Sequence, residues 1–117
     1  MSQEQAREAR RRTSISEKAA YSRASQKRLS DAKTKLLAVK ATIRSASFAG
    51  HIIMNRQLDD AQRAVDVNLL AAEASLERLR KSSDEAWKDL TVDVDTAWEN
   101  LSQSIMRLVA GYSDSKR

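Results

Sequence analysis

The chain has 117 residues with no cysteine, no proline and two glycines, and its 21 Lys and Arg exceed its 16 Asp and Glu to give a net charge of +5. The lack of cysteine excludes disulfides and thiolate metal sites. So few turn-forming residues exclude a sheet with frequent reversals, whereas the abundant Ala, Leu, Glu, Lys and Arg favour helices. The sequence therefore predicts one all-α domain.

The N-terminal segment is basic and has little apolar content. Residues 1–13 offer only Ala6 and Ala9 among Arg and Gln side chains, so we expect this segment to be frayed or disordered. Ser14 and Glu17 have the spacing of a capping box, which predicts a helical domain over residues 14–117. No apolar run reaches the ~20 residues of a membrane-spanning helix, and no signal peptide is evident, so a cytoplasmic location is expected.

The first half of the chain carries a heptad pattern. Its apolar positions alternate spacings of three and four, which predicts a left-handed coiled-coil seam: Leu29, Ala32, Leu36, Val39, Ile43 and Ala46. Residues 1–56 contain thirteen Lys and Arg against four Asp and Glu, and residues 57–117 contain eight against twelve. We expect the basic half to pair with the acidic half.

The second half shows an eleven-residue repeat that places both tryptophans on one face. Val65, Leu76, Trp87, Trp98 and Val109 are spaced by eleven. The positions three residues after and four residues before each of them are also apolar, except Asn68 and Ser83, and we call all of these positions the eleven-residue grid. Eleven residues make three helical turns, which predicts a nearly straight stripe along a helix from about 58 to 112. The predicted core or interface anchors are Val65, Leu76, Leu79, Trp87, Leu90, Val94, Trp98, Leu101, Ile105 and Val109.

Two architectures fit these patterns. The first is a long antiparallel helical hairpin, turning near Gly50 or within residues 55–60, whose uncovered tryptophan face leads it to self-associate into a four-helix bundle. A homodimer is the expected oligomer. The alternative is a three-helix bundle with a break near residues 82–83, where Ser82 and Glu85 form another potential capping box. The continuous phase of the repeat favours the unbroken helix.

Catalytic chemistry finds no support in the sequence. His51 is the one histidine, and no further metal ligands stand at suitable spacing beside it. Two isolated glycines cannot form a phosphate-binding loop. We therefore expect no enzyme, no cofactor, no metal and no small-molecule substrate.

The C-terminal half resembles a group of small bacterial coiled-coil proteins described as stress-associated. The resemblance covers about residues 76–105 and rests on Leu-x-x-Leu, a short Ser-containing stretch and a repeated Ala-Trp-x-x-Leu, here Leu76, Leu79, Ser82, Ser83, Ala86, Trp87, Leu90, Ala97, Trp98 and Leu101. It implies a helical, stress-linked protein without enzymatic activity.

The leading functional hypothesis is a non-enzymatic structural or interaction protein that self-associates and has a protein partner. One alternative is a peripheral membrane or granule-surface protein, because eleven-residue repeats and basic helices suit anionic lipid surfaces. A second is nonspecific nucleic-acid binding through the basic first helix. The candidate basic contact surface consists of Lys27, Arg28, Lys33, Lys35, Lys40 and Arg44.

Overall fold

Three helices make up the protein in a computed structural model that describes residues 2–116. They are α1 (Gln3–Phe48), α2 (Arg56–Lys81) and α3 (Trp87–Asp114). The described part of the chain contains no strand, only an isolated bridge between Ile52 and Lys116. The all-α prediction is therefore confirmed. Met1 and Arg117, the ends of the two predicted segments, lie outside the described residues.

The first helix is longer than the sequence predicted. Ser2 and Gln5 form the capping box at its start, with the Gln5 N–H donating to the Ser2 hydroxyl at 3.3 Å. The predicted cap at Ser14 is wrong, because α1 runs unbroken through this position and through residues 3–13. At 1.5 Å per residue, the 46 residues of α1 span about 69 Å, close to the 71 Å length of the whole rod.

The chain breaks between α2 and α3. The prediction of an unbroken helix from about 58 to 112 is therefore wrong, and the structure has the alternative break near residues 82–83. Ser82 ends α2 in an extended conformation, and its hydroxyl donates to the Leu79 carbonyl at 2.5 Å. Ser83 accepts a hydrogen bond from the Ala86 N–H at 3.2 Å. These side chains satisfy backbone groups that the broken helix leaves free, which makes the reversal stable despite the lack of glycine or proline.

The core follows a seven-residue spacing within each helix rather than the eleven-residue spacing. In α2 the most buried apolar positions are Leu58, Val65, Ala72 and Leu79, and in α3 they include Trp87, Val94, Leu101 and Leu108. Such a heptad spacing keeps a seam facing its partner when helices wrap with a left-handed twist. The step from Leu79 to Trp87 is eight residues, because the break interrupts the phase.

The eleven-residue grid therefore coincides with the buried seven-residue seam of α2 and α3 at only some of its positions. Eleven is one heptad plus four, so the grid moves from one seam position to a neighbouring one and drifts around the helix. At its end it selects Val109, which is 46% exposed, instead of the adjacent fully buried Leu108. Ser83, another grid position, is exposed in the break.

The helix α1 packs against both other helices, while α2 and α3 form the most closely packed pair. The predicted heptad seam of α1 is confirmed as its inner face. Leu29, Ala32, Leu36 and Ile43 are buried in the main core, and Val39 and Ala46 pack against it. The helix α1 runs antiparallel to α2 and parallel to α3. The molecule is a rod of about 71 × 18 × 18 Å.

Candidate functional site

The predicted tryptophan stripe belongs to the interior of this bundle. Six of the ten predicted anchors are buried, namely Val65, Leu76, Leu79, Trp87, Val94 and Leu101. Leu90, Trp98 and Ile105 pack partly buried against the two core clusters, whereas Val109 does not belong to either. Because α1 covers the stripe, the apolar surface from which self-association was predicted is already used within one chain.

The two Ala-Trp-x-x-Leu repeats are not equivalent in space. Ala86 is exposed at the end of the break and Trp87 is 5% exposed, while the second pair reverses this pattern with a buried Ala97 and a partly buried Trp98. The Arg28 guanidinium lies 5.1 Å from the centre of the Trp98 ring, a cation–π arrangement. Both tryptophans thus have intramolecular partners.

Polar contacts fix the N-terminal part of α1 to the α2–α3 break. Trp87 Nε1 donates to Ser14 Oγ at 2.9 Å, and Ser14 Oγ in turn donates to the Asp84 carbonyl at 3.0 Å. Lys18 Nζ donates to the Ser82 carbonyl at 2.5 Å. In residues 2–116 every buried side-chain nitrogen and oxygen has a hydrogen-bond partner.

Tyr21 continues this polar row one turn further along α1. Its hydroxyl donates to Asp95 Oδ1 at 2.6 Å, and its ring lies 6.2 Å from the Trp87 ring. Burial raises the pKa of Tyr21 to about 12, with the accepting and negatively charged Asp95 carboxylate adding to the rise. The neutral phenol is therefore the form that the fold prefers.

The predicted basic residues do not form one surface. Lys33 pairs with Glu73 at 3.1 Å, Lys40 pairs with Asp66, and Arg28 covers Trp98 on the side of α3. Helical spacing directs the exposed Lys27 away from the seam and separates Lys35 from Arg44, which borders the groove to α2. The expected pairing of charges is found between α1 and α2. Among the described residues one ion pair joins α1 to α3, between Lys88 and Glu17 at 3.5 Å. Here α1 supplies the acidic residue and α3 the basic one, which is the reverse of the expected arrangement.

A second apolar stripe, which the sequence analysis missed, borders the groove between α1 and α2 on the side away from α3. Leu37 is 71% exposed on α1, and Val67 and Leu70 are 64% and 67% exposed on α2. Ala41 and Ala74 extend the two rows at helical spacing and are exposed. The signal was present as a short three-and-four spacing through Val67, Leu70 and Ala74, but the stronger core pattern of the same helix obscured it.

The ion pairs define how the two rows meet. Lys33–Glu73 and Lys40–Asp66 join α1 to α2 one heptad apart in each helix. Leu37 and Leu70 both fall between these pairs in the antiparallel register, so the two leucines stand at the same level along the rod. We call the surface formed by Leu37, Ala41, Val67, Leu70 and Ala74 the groove face.

Two shallow clefts lie along the same groove, one on each side of the leucine pair. The cleft toward the break has a volume of about 580 Å³ and is bordered by Leu29, Lys33, Leu70 and Glu77 among others. The cleft toward the α1–α2 turn has about 500 Å³ and is bordered by Ile43, Arg44 and Phe48 among others. Their walls mix apolar and charged side chains, as protein-binding surfaces do.

The turn between α1 and α2 adds an apolar tip to this end of the groove. Phe48 is 96% exposed, and Ile53 and Met54 are exposed beside it. Gly50 adopts a positive φ of 76°, which lets the chain leave α1 sharply. Ile52 is buried, and Ile53 N donates to the Ser115 carbonyl at 3.0 Å, so the tip is fixed to the end of α3.

Within residues 2–116, no group of three or more His, Asp or Glu side chains is placed to hold a metal ion. His51 is exposed in the turn. Over the same part of the chain, no helix is both long enough and apolar enough to pass through a membrane.

Comparison with known proteins gives no relative for this chain: no family model matches it, and it matches neither a curated protein nor a solved structure. The protein is a three-helix bundle in which α3 covers one side of the α1–α2 pair and the opposite side is open. The groove face is its candidate functional site.

Proposed function

We propose that this is a non-enzymatic helical interaction protein that forms a homodimer through the groove face. The observation that carries the proposal is the exposure of Leu37 and Leu70, which stand at the same level of the rod between two ion pairs. Contiguous exposed apolar side chains on a soluble protein mark interaction sites. The stress-linked role implied by the resemblance stays a prediction.

The open side of the α1–α2 pair supports a helical partner. The helix α3 covers one side of this pair, and the opposite side offers two parallel apolar rows with clefts between them. Apolar rows at three-and-four spacing accept the ridges of another helix or helix pair. A second copy of the protein brings the same two apolar rows, so that the α1 and α2 helices of both copies form a four-helix interface.

The charges along the groove favour a second copy in one orientation. The α1 edge is basic, with Lys33, Lys40 and Arg44, whereas the α2 edge is mainly acidic, with Asp66, Glu73 and Glu77 against one cation, Arg80. A two-fold axis parallel to the rod places the basic edge of each copy opposite the acidic edge of the other. A perpendicular axis instead places α1 on α1, where like charges oppose each other.

The same axis also keeps the charges in register. Lys33 stands at the level of Glu73 and Lys40 at the level of Asp66 within one chain. Rotation about an axis along the rod preserves these levels, so each lysine of one copy reaches the level of a carboxylate of the other. The groove face is therefore self-complementary in charge.

Leu70→Lys tests this proposal by sedimentation equilibrium. We expect the wild type to be dimeric and the variant to dissociate more than about 100-fold more readily, because two unpaired ammonium groups would enter the apolar interface. Val92→Lys is the matched control. Val92 is 65% exposed on the outer face of α3, and its replacement by lysine adds the same charge.

The result depends on the contrast between the two variants. A wild-type protein that remains monomeric at its highest soluble concentration would contradict the proposal, as would a Leu70→Lys variant that dimerises as well as Val92→Lys. Circular dichroism of both variants checks that the fold is retained, which we expect because both side chains are exposed.

A further inference from the structure

The N-terminal end of α1 projects beyond the rest of the bundle. Ser14 is the residue that contacts Asp84 and Trp87 at the α2–α3 break, so the helix before it has passed the end of both other helices. Residues 3–13, which we call the arm, extend for about 16 Å at 1.5 Å per residue. All side chains of the arm except Ala6 are exposed.

Four arginines stand within six residues of the arm: Arg7, Arg10, Arg11 and Arg12. Arg12 pairs with Glu8 at 3.0 Å on the open surface, where such a pair contributes little. The other three close no ion pair with any residue in the described range of 2–116. Helical spacing places Arg7 and Arg11 in line with the inner seam and Arg12 on one flank.

A cleft of about 770 Å³ lies between the arm and the break. Arg7, Arg10, Arg11 and Lys88 border it, together with Ser14, Ser83, Asp84 and Glu85. Asp84 and Glu85 belong to the break, where the Asp84 main-chain carbonyl accepts from Ser14, while Arg7 lies about two helical turns further out along α1. Four cationic side chains therefore border the cleft against two carboxylates, and the arginines among them close no ion pair in residues 2–116.

We propose that the arm binds the phosphodiester backbone of duplex nucleic acid by lying in a groove of the duplex. An α-helix is about 10–12 Å across with its side chains, and the major groove is about 12 Å wide. Since no neighbouring helix surrounds residues 3–13, this part of α1 can enter such a groove. Arginines on different flanks then reach phosphates on both walls.

The composition of the arm separates this ligand from the other anionic surfaces. A lipid surface holds a helix by an apolar face, and the arm has no apolar side chain larger than alanine in residues 3–13. An acidic protein surface would meet one side of the arm, leaving the arginines of the other flank unused. Recognition through phosphates alone is independent of base sequence.

Fluorescence anisotropy with a labelled 20-base-pair duplex tests the proposal. We expect wild-type affinity to fall roughly 100-fold between 50 and 200 mM salt, as release of counterions from about four phosphates requires. The arm variant combines Arg7→Gln, Arg10→Gln, Arg11→Gln and Arg12→Gln, and we expect it to lose most of this binding and its salt dependence. Gln retains helix propensity.

A control variant removes four positive charges elsewhere, at exposed positions without ion pairs in residues 2–116: Arg23→Gln, Lys27→Gln, Lys35→Gln and Arg107→Gln. We expect it to retain binding at 50 mM salt within about threefold, because a screened surface charge acts only over ~10 Å. Equal loss in both variants would reduce the effect to net charge and overturn the assignment to the arm.

Two further results would overturn the proposal. One is absence of duplex binding by the wild type at 50 mM salt. The other is binding to vesicles with 30% anionic lipid that the arm variant loses while duplex binding is unchanged, which would assign the arm to a membrane surface instead.

Discussion

The Trp87 indole donates its N–H to the Ser14 hydroxyl across 2.9 Å, joining residues 73 positions apart in the chain. The Ser14 hydroxyl in turn donates a hydrogen bond to the Asp84 carbonyl at 3.0 Å. One hydroxyl therefore satisfies a buried indole and a carbonyl of the break, and it marks where α1 leaves the bundle. The arm and the bundle are separated at this residue.

Removing this hydroxyl should destabilise the bundle. We expect Ser14→Ala to lower the free energy of unfolding by about 1–3 kcal/mol, because the Trp87 N–H stays largely buried without its acceptor. Ser16→Ala is the control, since Ser16 is exposed in the same helix and gains the same helix propensity. Urea denaturation measures both; equal values would contradict a stabilising role for the Ser14 contact.

Alkaline pH should weaken the fold through Tyr21. Its pKa is about 12 in the folded protein against 10.0 for the ordinary phenol, so the folded state retains a proton that the unfolded state loses between these values. The stabilisation is complete below pH 10 and is lost as the pH rises toward 12.

Tyr21→Phe isolates this contribution. We expect the variant to be less stable than the wild type by about 1 kcal/mol at pH 7, because the hydrogen bond to Asp95 is lost. The difference between the two proteins should shrink as the pH rises from 10 to 12, which denaturant melts in this range would measure. A constant difference would show that ionisation of Tyr21 is not coupled to folding.

Two adjacent residues distinguish the seven-residue seam from the eleven-residue grid. Leu108 is fully buried and Val109 is 46% exposed. We expect Leu108→Ala to cost about 2–5 kcal/mol because it leaves a cavity, and Val109→Ala to cost less than about 1 kcal/mol. Thermal melts of the two variants decide between the patterns, and a larger loss for Val109→Ala would favour the grid.

The orientation of the proposed dimer gives a distance prediction. The chain has no cysteine, so Ser16→Cys offers a unique site for a spin label near the arm. An axis parallel to the rod places both labels at the same end, within about 20–40 Å, or a few helix diameters. A perpendicular axis places them at opposite ends of a rod 71 Å long. Pulsed electron paramagnetic resonance separates the two arrangements.

The sequence determined the helical class and much of the core. The scarcity of turn residues and the wealth of helix formers left no other class, and the heptad through Leu29, Leu36 and Ile43 identified the inner face of α1 correctly. Nine of the ten predicted anchors pack in the core for the same local reason, since apolar side chains at three- or four-residue spacing share one face of a helix.

Tertiary structure decided what those local patterns left open. A pattern of eleven and a pattern of seven share many positions, so only the packing of the three helices distinguished Leu108 from Val109. The break at Ser82 likewise became evident only in the folded chain. Which lysines are paired depends on the register between α1 and α2, as with Lys33 and Lys40. The groove face and the arm likewise exist only because α3 covers one side of the pair and begins opposite Ser14, which are long-range relations that residue spacing does not encode.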